Sequence, residues 1–286
     1  MDLQLNGVHV LVTGASGGIG LVTARLFLTG ETLLICPFCP IECGANVTAH
    51  YNSTAATLEP LHREFGHTRI QTAQANLSRE DDVLRMFNTL KDSPFGPVQV
   101  LIANHGYYPP ADVPIAEMSL TQWESTFASN MTSTFLVVRE YLKRLAHATD
   151  EQKEKASIVI IGSTAGKYGE IGHADYSATK SAMMYGFTMS LKNEIVKIAP
   201  RGRVNCIAPG WVKTPMAEHA LKQPEVIYRA LATTPLKKVA TPEDVASQVV
   251  FVASTAVSGH VSGQVIMVEG GMEGRLLNKP EDITQF

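Results

Sequence analysis

Residues 13–20 read TGASGGIG, a glycine-rich stretch between the aliphatic run Val8–Val12 and a helical pattern that extends from Gly18 to Leu28. Glycines placed directly after a strand and at the start of a helix let the backbone approach a diphosphate and point amide N–H groups at it. A lone turn of this kind is weak evidence, because any tight turn favours glycine. Here the flanking strand and helix supply the context, so the stretch predicts a dinucleotide-binding unit.

The alternation of short aliphatic runs and longer helical patterns continues along the chain. It predicts further strands over Asn46–Tyr51, Arg69–Ala73, Val98–Ala103, Ala156–Ile161, Val204–Ala208 and Val265–Val268. It predicts helices over Ser53–Phe65, Glu80–Leu90, Leu120–Ala146, Tyr176–Ile198 and Pro242–Ala253. This pattern indicates an α/β fold, a Rossmann-type doubly wound parallel sheet of about seven strands with helices on both faces. No Pro/Gly/Ser-rich linker divides it, so we expect a single domain over residues 1–286.

Composition narrows the class of protein. Hydrophobic residues make up 45% and charged residues 18% of the 286 residues, which is enough apolar material for a large core. The net charge of −3 gives no reason to expect nucleic acid or an anionic membrane as a partner. No apolar run approaches the roughly 20 residues that span a bilayer, and the N-terminal sequence does not resemble a signal peptide. Four cysteines, three of them clustered, do not form a disulfide framework in a chain of this size, so we expect a cytoplasmic enzyme.

A second motif, Tyr176-Ser-Ala-Thr-Lys180, lies in a predicted helix. Residues four apart share a helix face, so the phenol and the ammonium are neighbours. The cation lowers the pKa of the tyrosine from about 10, which makes Tyr176 a usable general acid or base near neutral pH. An exposed pair without function is the alternative. Ser163 favours the functional interpretation, because it follows a predicted strand at the edge of the sheet where ligands bind and could hold a substrate carbonyl.

Six motifs occur in the order found in the short-chain dehydrogenases/reductases. They are TGASGGIG at 13–20, LIANHG at 101–106, Asn130 within SNMTSTF, IGSTAG at 161–166, YSATK at 176–180 and Ala208-Pro-Gly210. The chain resembles the branch of that family whose glycine motif is TGxxxGxG, over about residues 5–274. Within that branch it is similar to the 3-oxoacyl-carrier-protein reductases and related ketoreductases. The resemblance implies a nicotinamide dinucleotide cofactor and the reduction of a carbonyl group.

The resemblance also implies a catalytic role for four residues. Tyr176 would protonate the carbonyl oxygen as hydride arrives, or deprotonate the alcohol in the reverse direction. Lys180 would lower the pKa of Tyr176 and hold the ribose of the nicotinamide. Ser163 would bind the substrate oxygen, and Asn130 would hold a water of a proton relay through a local distortion of its helix.

Further residues match the family's structural and cofactor-binding positions. Asn104 would brace the central strands, and His105 stands where the family usually has alanine, which we interpret as tolerated variation. The residues expected to bind the cofactor are Gly14, Ser16, Gly18, Ile19, Gly20, Tyr51, Asn52, Ser53, Asn76, Leu77, Asn104, Gly106, Tyr176, Lys180, Pro209, Gly210, Val212 and Thr214.

The end of the second predicted strand decides between the two nicotinamide cofactors. Family members that bind NAD commonly place Asp there, where its carboxylate binds the ribose hydroxyls of adenosine. Here the sequence is His50-Tyr51-Asn52-Ser53, with no acid and no Arg or Lys. A carboxylate would repel a 2′-phosphate, so its absence favours NADP, with NAD as the less favoured cofactor.

One segment, Glu31–Cys43 (ETLLICPFCPIEC), is an insertion relative to the family pattern. A zinc site built on its three cysteines would need a fourth ligand, and the nearest spare donor, His50, falls inside a predicted strand, so we expect no metal. Alternatively, Thr32–Cys36 would replace the second strand, although Pro37 would end that strand at once. The interpretation that we favour is an insertion loop beside the adenosine end of the site, and a segment absent from the working protein is the remaining alternative.

Two other stretches are predicted as loops, Ala148–Lys155 and the longer Thr214–Thr241, which is placed where a substrate lid would lie. A C-terminal tail occupies residues 275–286.

We expect an NADP-dependent reductase that converts a ketone to a secondary alcohol with Tyr176 as general acid. The alternatives are an NAD(P)-dependent alcohol or polyol dehydrogenase and, because of the insertion, a catalytically impaired dinucleotide-binding interaction protein. The partner is a small carbonyl or alcohol substrate, and the resemblance implies a homotetramer or homodimer.

Overall fold

A computed structural model describes residues 2–29, 43–218 and 220–274, and its strands form one sheet. Seven parallel strands are ordered β3-β2-β1-β4-β5-β6-β7. The strands are β1 His9–Val12, β2 Asn46–Tyr51, β3 Ile70–Gln74, β4 Val100–Ala103, β5 Ser157–Ile161, β6 Arg203–Pro209 and β7 Val265–Val268. The strand order reverses between β1 and β4, which is where ligands bind in sheets of this type, at the carboxyl ends of the strands. The predicted α/β fold is therefore confirmed.

Helices cover both faces of this sheet. They are α1 Gly18–Leu28, α2 Glu59–Phe65, α3 Glu80–Thr89, α4 Leu120–Phe127, α5 Ser133–Leu145, α6 Asp150–Lys153, α7 Thr164–Tyr168, α8 Ala174–Ser181, α9 Thr188–Ile195, α10 Pro224–Leu231, α11 Pro242–Ala253 and α12 Thr255–Ser258. Alternate residues of β1 enter different cores: Val10 and Val12 pack on the α1 and α11 side, and Leu11 packs on the α3 and α5 side. In the described ranges, no helix combines the length and the apolar character needed to cross a membrane.

Both long predicted helices are interrupted by π-helical turns. The turn Ala128–Thr132 separates α4 from α5, and the turn Ala182–Phe187 separates α8 from α9. In the first, the N–H of Ser133 donates to the carbonyl of Ala128, five residues earlier, so one extra residue is accommodated. This turn contains Asn130, whose position therefore differs from that in a regular helix.

A predicted helix start and two predicted loops differ from the structure. The helix predicted from Ser53 begins only at Glu59, because Pro60 lacks an N–H and is tolerated in the first turn of a helix. The predicted loop Ala148–Lys155 contains α6, whose start is a capping box in which the Thr149 side chain and the Gln152 side chain bind each other's backbone N–H groups. The predicted loop Thr214–Thr241 contains α10 and a short 3₁₀ turn.

Of the insertion Glu31–Cys43, residues 31–42 lie outside the described residues, as do His219 and the tail 275–286. The described chain leaves α1 at Thr29 and returns at Cys43 next to it: the N–H groups of Cys43 and Gly44 both donate to the Thr29 carbonyl at 3.0 Å. The alternative in which Thr32–Cys36 replaces the second strand is wrong, because Asn46–Tyr51 pairs with β1 on one side and β3 on the other.

Candidate active site

The glycine-rich turn fits a diphosphate at the amino end of α1. Gly14 has a φ of +61°, which favours glycine, and a Cβ on Gly20 would overlap the Gly14 carbonyl oxygen. A Cβ on Gly18 would lie 2.8 Å from Cγ2 of Thr214, so the turn and the chain after β6 are in contact. The N-cap residue of α1, Gly17, supplies no side-chain cap, so the first-turn amides, including those of Gly18 and Ile19, are available to hold an anion.

His50 holds this turn from the side of β2. Its ring is buried, the N–H of Gly14 donates to Nδ1 at 3.0 Å, and Nε2 donates to the carbonyl of Ala75 at 3.0 Å. These bonds fix the neutral tautomer, and burial lowers the pKa of His50 to about 4. Both ring nitrogens are used, so His50 is not a spare zinc ligand, and the described residues contain no group of three side chains suited to a metal ion.

The adenosine end of the predicted site offers uncharged groups. Tyr51 is half-buried at the end of β2, whereas Asn52 and Ser53 are exposed. Asn76 follows β3, where its N–H donates to Asp82 and its side-chain oxygen accepts from the N–H of Ser78. Leu77 is buried beside it.

Lys180 is the buried cation of the site. Its exposed fraction is 4%, its Nζ donates to the carbonyl of Ile161 at 2.8 Å, and it lies 5.7 Å from the ring centroid of Tyr176. Burial lowers the pKa of Lys180 to about 8, so the ammonium is the main form at neutral pH. Helix α8 thus places a phenol beside a fixed positive charge.

Asn130 is fully buried in the first π-helical turn. Its side-chain oxygen accepts from the N–H of Tyr107 at 2.7 Å, and its side-chain amide donates to the Tyr107 carbonyl and to the hydroxyl of Thr179. A Cβ on Gly106 would lie 3.5 Å from both Oδ1 of Asn130 and Nζ of Lys180. Gly106, Asn130 and Lys180 therefore converge on one point.

Ser163 lies two residues after β5 and directly before α7. It is the N-cap residue of that helix, and its Oγ accepts from the N–H of Ala165 at 3.1 Å. The neighbouring strand β6 ends in Pro209, followed by Gly210, whose N–H donates to the Val268 carbonyl. Val212 and Thr214 continue from there, Val212 in a bridge with Ala240 and Thr214 against Gly18.

Asn104 and His105 connect strand ends at the centre of the sheet. The Asn104 side-chain amide donates to the carbonyls of Thr13 at 3.0 Å and of Gly14 at 3.1 Å. His105 places one ring nitrogen 2.8 Å from the hydroxyl of Thr13 and the other 2.8 Å from the hydroxyl of Ser133.

Two residues at this site, Asp175 and Tyr108, were not found from the sequence. Asp175, next to Tyr176, is fully buried and accepts from the hydroxyl of Thr126 at 2.8 Å, which ties α8 to α4. The ring of Tyr108 meets the ring of Tyr176 edge to face, with centroids 4.9 Å apart. His173 packs on the other side of Tyr108 at 4.3 Å. An acid directly before the tyrosine of a YxxxK motif was a usable signal for Asp175, whereas the aromatic contacts have no sequence signature.

Known proteins match this chain over most of its length. The family model described as Enoyl-(Acyl carrier protein) reductase matches residues 40–273. The 3-oxoacyl-[acyl-carrier-protein] reductase FabG of Aquifex aeolicus (strain VF5) is 31% identical over 274 residues, covering 95% of this chain and 100% of that protein. The (3R)-3-hydroxyacyl-CoA dehydrogenase of Rattus norvegicus is 29% identical over 273 residues, covering 95% of this chain and 98% of that protein.

Similarity in three dimensions agrees with similarity in sequence. The crystal structure of a protein from Brucella melitensis, described as Short-chain dehydrogenase/reductase SDR:Glucose/ribitol dehydrogenase, superposes with a TM-score of 0.79 at 31% identity. The match covers 95% of this chain and 99% of that one, so the two share one fold throughout.

Proposed function

Because the chain belongs to the short-chain dehydrogenase/reductase family, and is an oxidoreductase that interconverts alcohol and carbonyl groups, we propose that it reduces a ketone to a secondary alcohol with NADPH. Tyr176 is the general acid of this proposal, assisted by Lys180, Ser163 and Asn130. The catalytic domain extends over the whole chain.

The observation that carries the proposal is the placement of Lys180 beside Tyr176. The ammonium is held by the Ile161 carbonyl and stands 5.7 Å from the phenol ring centroid, in a buried site where charges interact more strongly than in water. A fixed cation there stabilises the phenolate that remains after the proton leaves. The arrangement therefore lowers the cost of proton donation at neutral pH.

The residues at the carboxyl ends of the strands supply the other contacts. The uncapped amides of Gly18 and Ile19 would hold a diphosphate, and Lys180 would hold the hydroxyls of the ribose attached to the nicotinamide. When bound, the reduced nicotinamide supplies a hydride to the carbonyl carbon. The Tyr176 hydroxyl then gives its proton to the carbonyl oxygen, which Ser163 orients, and a secondary alcohol results. Asn130 fixes the loop after β4 beside Lys180, where a proton would be returned.

Three further features belong to the same proposal. The absence of a carboxylate among Tyr51, Asn52 and Ser53 favours NADP over NAD. Large apolar side chains are exposed on α4, on α5 and on the π-helical turn after α8, namely Leu120, Phe135 and Tyr185, which supports a homotetramer or homodimer built on these helices. A cytoplasmic location agrees with the cysteine usage of the chain.

Oxidation of an alcohol by the same residues is the second candidate. The relative from Rattus norvegicus is named as a dehydrogenase, which favours this direction. In that reaction Tyr176 accepts the proton of the alcohol instead of donating one.

The proposal is tested with purified full-length protein. Thermal unfolding is measured with NADPH, with NADH and without a dinucleotide, and reduction of a 3-oxoacyl thioester is then followed through the loss of NADPH absorbance. We expect stabilisation by NADPH above that by NADH, and measurable reduction. No stabilisation by either dinucleotide would overturn the proposal.

Tyr176→Phe is the matched variant, because it removes one oxygen atom and keeps the ring beside Tyr108. We expect it to bind NADPH as the wild-type protein does and to lose reduction by about 10²-fold or more. Equal reduction by the variant and the wild type would overturn the role of Tyr176. Binding of NADPH without reduction by either protein would instead favour an interaction protein that binds a dinucleotide without catalysis.

A further inference from the structure

The His105 side chain makes two contacts that an alanine at this position would lack. One ring nitrogen lies 2.8 Å from Oγ1 of Thr13, the last residue before the first glycine of the turn. The other lies 2.8 Å from Oγ of Ser133, the first residue of α5. Ser133 directly follows the π-helical turn that contains Asn130. The imidazole therefore spans the gap between the glycine-rich turn and the π-helical turn.

Each hydroxyl also lies near a backbone carbonyl: Thr13 Oγ1 is 3.0 Å from that of Ile102, and Ser133 Oγ is 2.7 Å from that of Ser129. Burial lowers the pKa of His105 to about 3, so the ring is neutral and carries one N–H. The ring therefore donates to one hydroxyl, which is then able to donate to its carbonyl, and accepts from the other hydroxyl. The N–H of Asn104 also donates to Thr13 Oγ1, at 2.9 Å. A continuous chain of hydrogen bonds thus runs from the π-helical turn, through the ring of His105, to the ends of β1 and β4.

The backbone of the glycine-rich turn touches the same residue. A Cβ on Gly14 would lie 2.9 Å from Cα of His105, while His50 binds the Gly14 amide from the direction of β2. Thr13 and Gly14 therefore lie between His50 of β2 and His105, which follows β4.

We propose that His105 is a positioning residue: it couples the turn that would hold the diphosphate to the π-helical turn that holds Asn130. The inference rests on the proposed function, since its kinetic consequence requires both NADPH and a carbonyl substrate. Its structural consequence requires neither NADPH nor a carbonyl substrate, because the His105 bridge exists in the protein without them. Alanine at this position would leave each turn anchored separately and would remove the link between them.

The chain offers a matched control in His9. This histidine is also buried and also bridges two groups, the carbonyl of Gly96 and the hydroxyl of Thr48, each at 2.7 Å. It lies at the first residue of β1, at the opposite edge of the sheet from the site. His9→Ala removes a similar ring and similar hydrogen bonds far from the catalytic residues.

The experiment compares the wild-type protein with His105→Ala, His105→Asn and His9→Ala. We measure thermal stability, the dissociation constant of NADPH, kcat and KM for the carbonyl substrate, and amide hydrogen exchange of the unliganded protein at residues 13–15 and 130–134. Both alanine variants should lose stability. Only His105→Ala should weaken NADPH binding and lower kcat, each by about tenfold, because small displacements of reacting groups are costly. His105→Asn, which keeps one hydrogen-bonding group, should recover part of both.

Hydrogen exchange separates failure of the inference from failure of the proposed function. We expect faster exchange at both segments in His105→Ala and at neither segment in His9→Ala. This result does not depend on whether the protein reduces a carbonyl substrate. If His105→Ala loses stability as His9→Ala does, but keeps the NADPH affinity, kcat and exchange rates of the wild-type protein, His105 is only structural and the inference is overturned.

Discussion

The two ends of the predicted dinucleotide site are built differently. At the catalytic end, Asn130 is fully buried and its side-chain amide donates to the Tyr107 carbonyl. Lys180 is 4% exposed and its ammonium donates to the Ile161 carbonyl. At the adenosine end, Asn52 and Ser53 are exposed, and both ring nitrogens of His50 are bonded to backbone groups. In the proposed enzyme, the chemistry would therefore depend on buried polar contacts, which tolerate few changes. The choice of dinucleotide would depend on a few exposed side chains, which tolerate many.

The largest effect is expected from Lys180→Met at the catalytic end. We expect kcat to fall by roughly 10²- to 10⁴-fold, the range for loss of an assisted proton transfer, because no cation then faces the phenol. Stability should be unchanged or higher, because a thioether does not carry the penalty that burial places on the ammonium. The measurements are steady-state kinetics and thermal unfolding.

The pH dependence of the wild-type protein sharpens this prediction. Burial lowers the pKa of Lys180 to about 8, so the ammonium is present below that pH and is lost above it. Reduction should therefore decline as the pH rises through about 8, and Lys180→Met should not show that decline. An activity that falls only on the acidic side would contradict the role given to Lys180.

A smaller effect is expected from Asn52→Asp at the adenosine end. A carboxylate at the end of β2 would repel the 2′-phosphate of NADPH and could bind the ribose hydroxyls of NADH. We expect the NADPH dissociation constant to rise about tenfold while kcat at saturation stays near that of the wild-type protein, since Lys180 is untouched. Fluorescence titration with both dinucleotides measures this.

Asn52→Ala controls for loss of the amide alone. If Asn52→Asp binds NADPH as tightly as Asn52→Ala does, the adenosine ribose lies away from β2. The choice between NADPH and NADH would then depend on residues other than those at the end of β2.

Much of the fold was readable from the sequence because its signals are local. β2 and β7, and the helices α1 and α11, begin and end at the predicted residues. The capping box of α6 was also a local signal, in Thr149 and Gln152, but it was overlooked. The π-helical turn after α8 was not predictable in the same way, because residues 182–187 (AMMYGF) are almost all apolar and show no period from which an inserted residue could be detected.

The candidate site likewise contains local features, which the sequence predicts, and long-range contacts, which it does not. Motif spacing indicated that Tyr176 and Lys180 are neighbours, because a helix fixes the relation of residues four apart. The bridge from Thr13 through His105 to Ser133 joins three distant parts of the chain and has no pattern of its own. Contacts of this kind depend on how the strand ends meet, which only the assembled sheet determines.

The smallest effect is expected from removing residues 30–42 and joining Thr29 to Cys43. The N–H of Cys43 already donates to the Thr29 carbonyl at 3.0 Å, so the new peptide bond requires only a local adjustment. We expect the NADPH dissociation constant to change by less than about twofold, because the free energy of closing a loop depends only weakly on its length. Removing residues 31–43 instead also deletes the buried Cys43, and we expect that variant to be less stable by about 1 kcal/mol. Thermal unfolding of both variants with and without NADPH tests this. Stabilisation by NADPH that appears only after residues 30–42 are removed would show that the segment blocks the adenosine end, which would then limit the enzyme more than its catalytic end does.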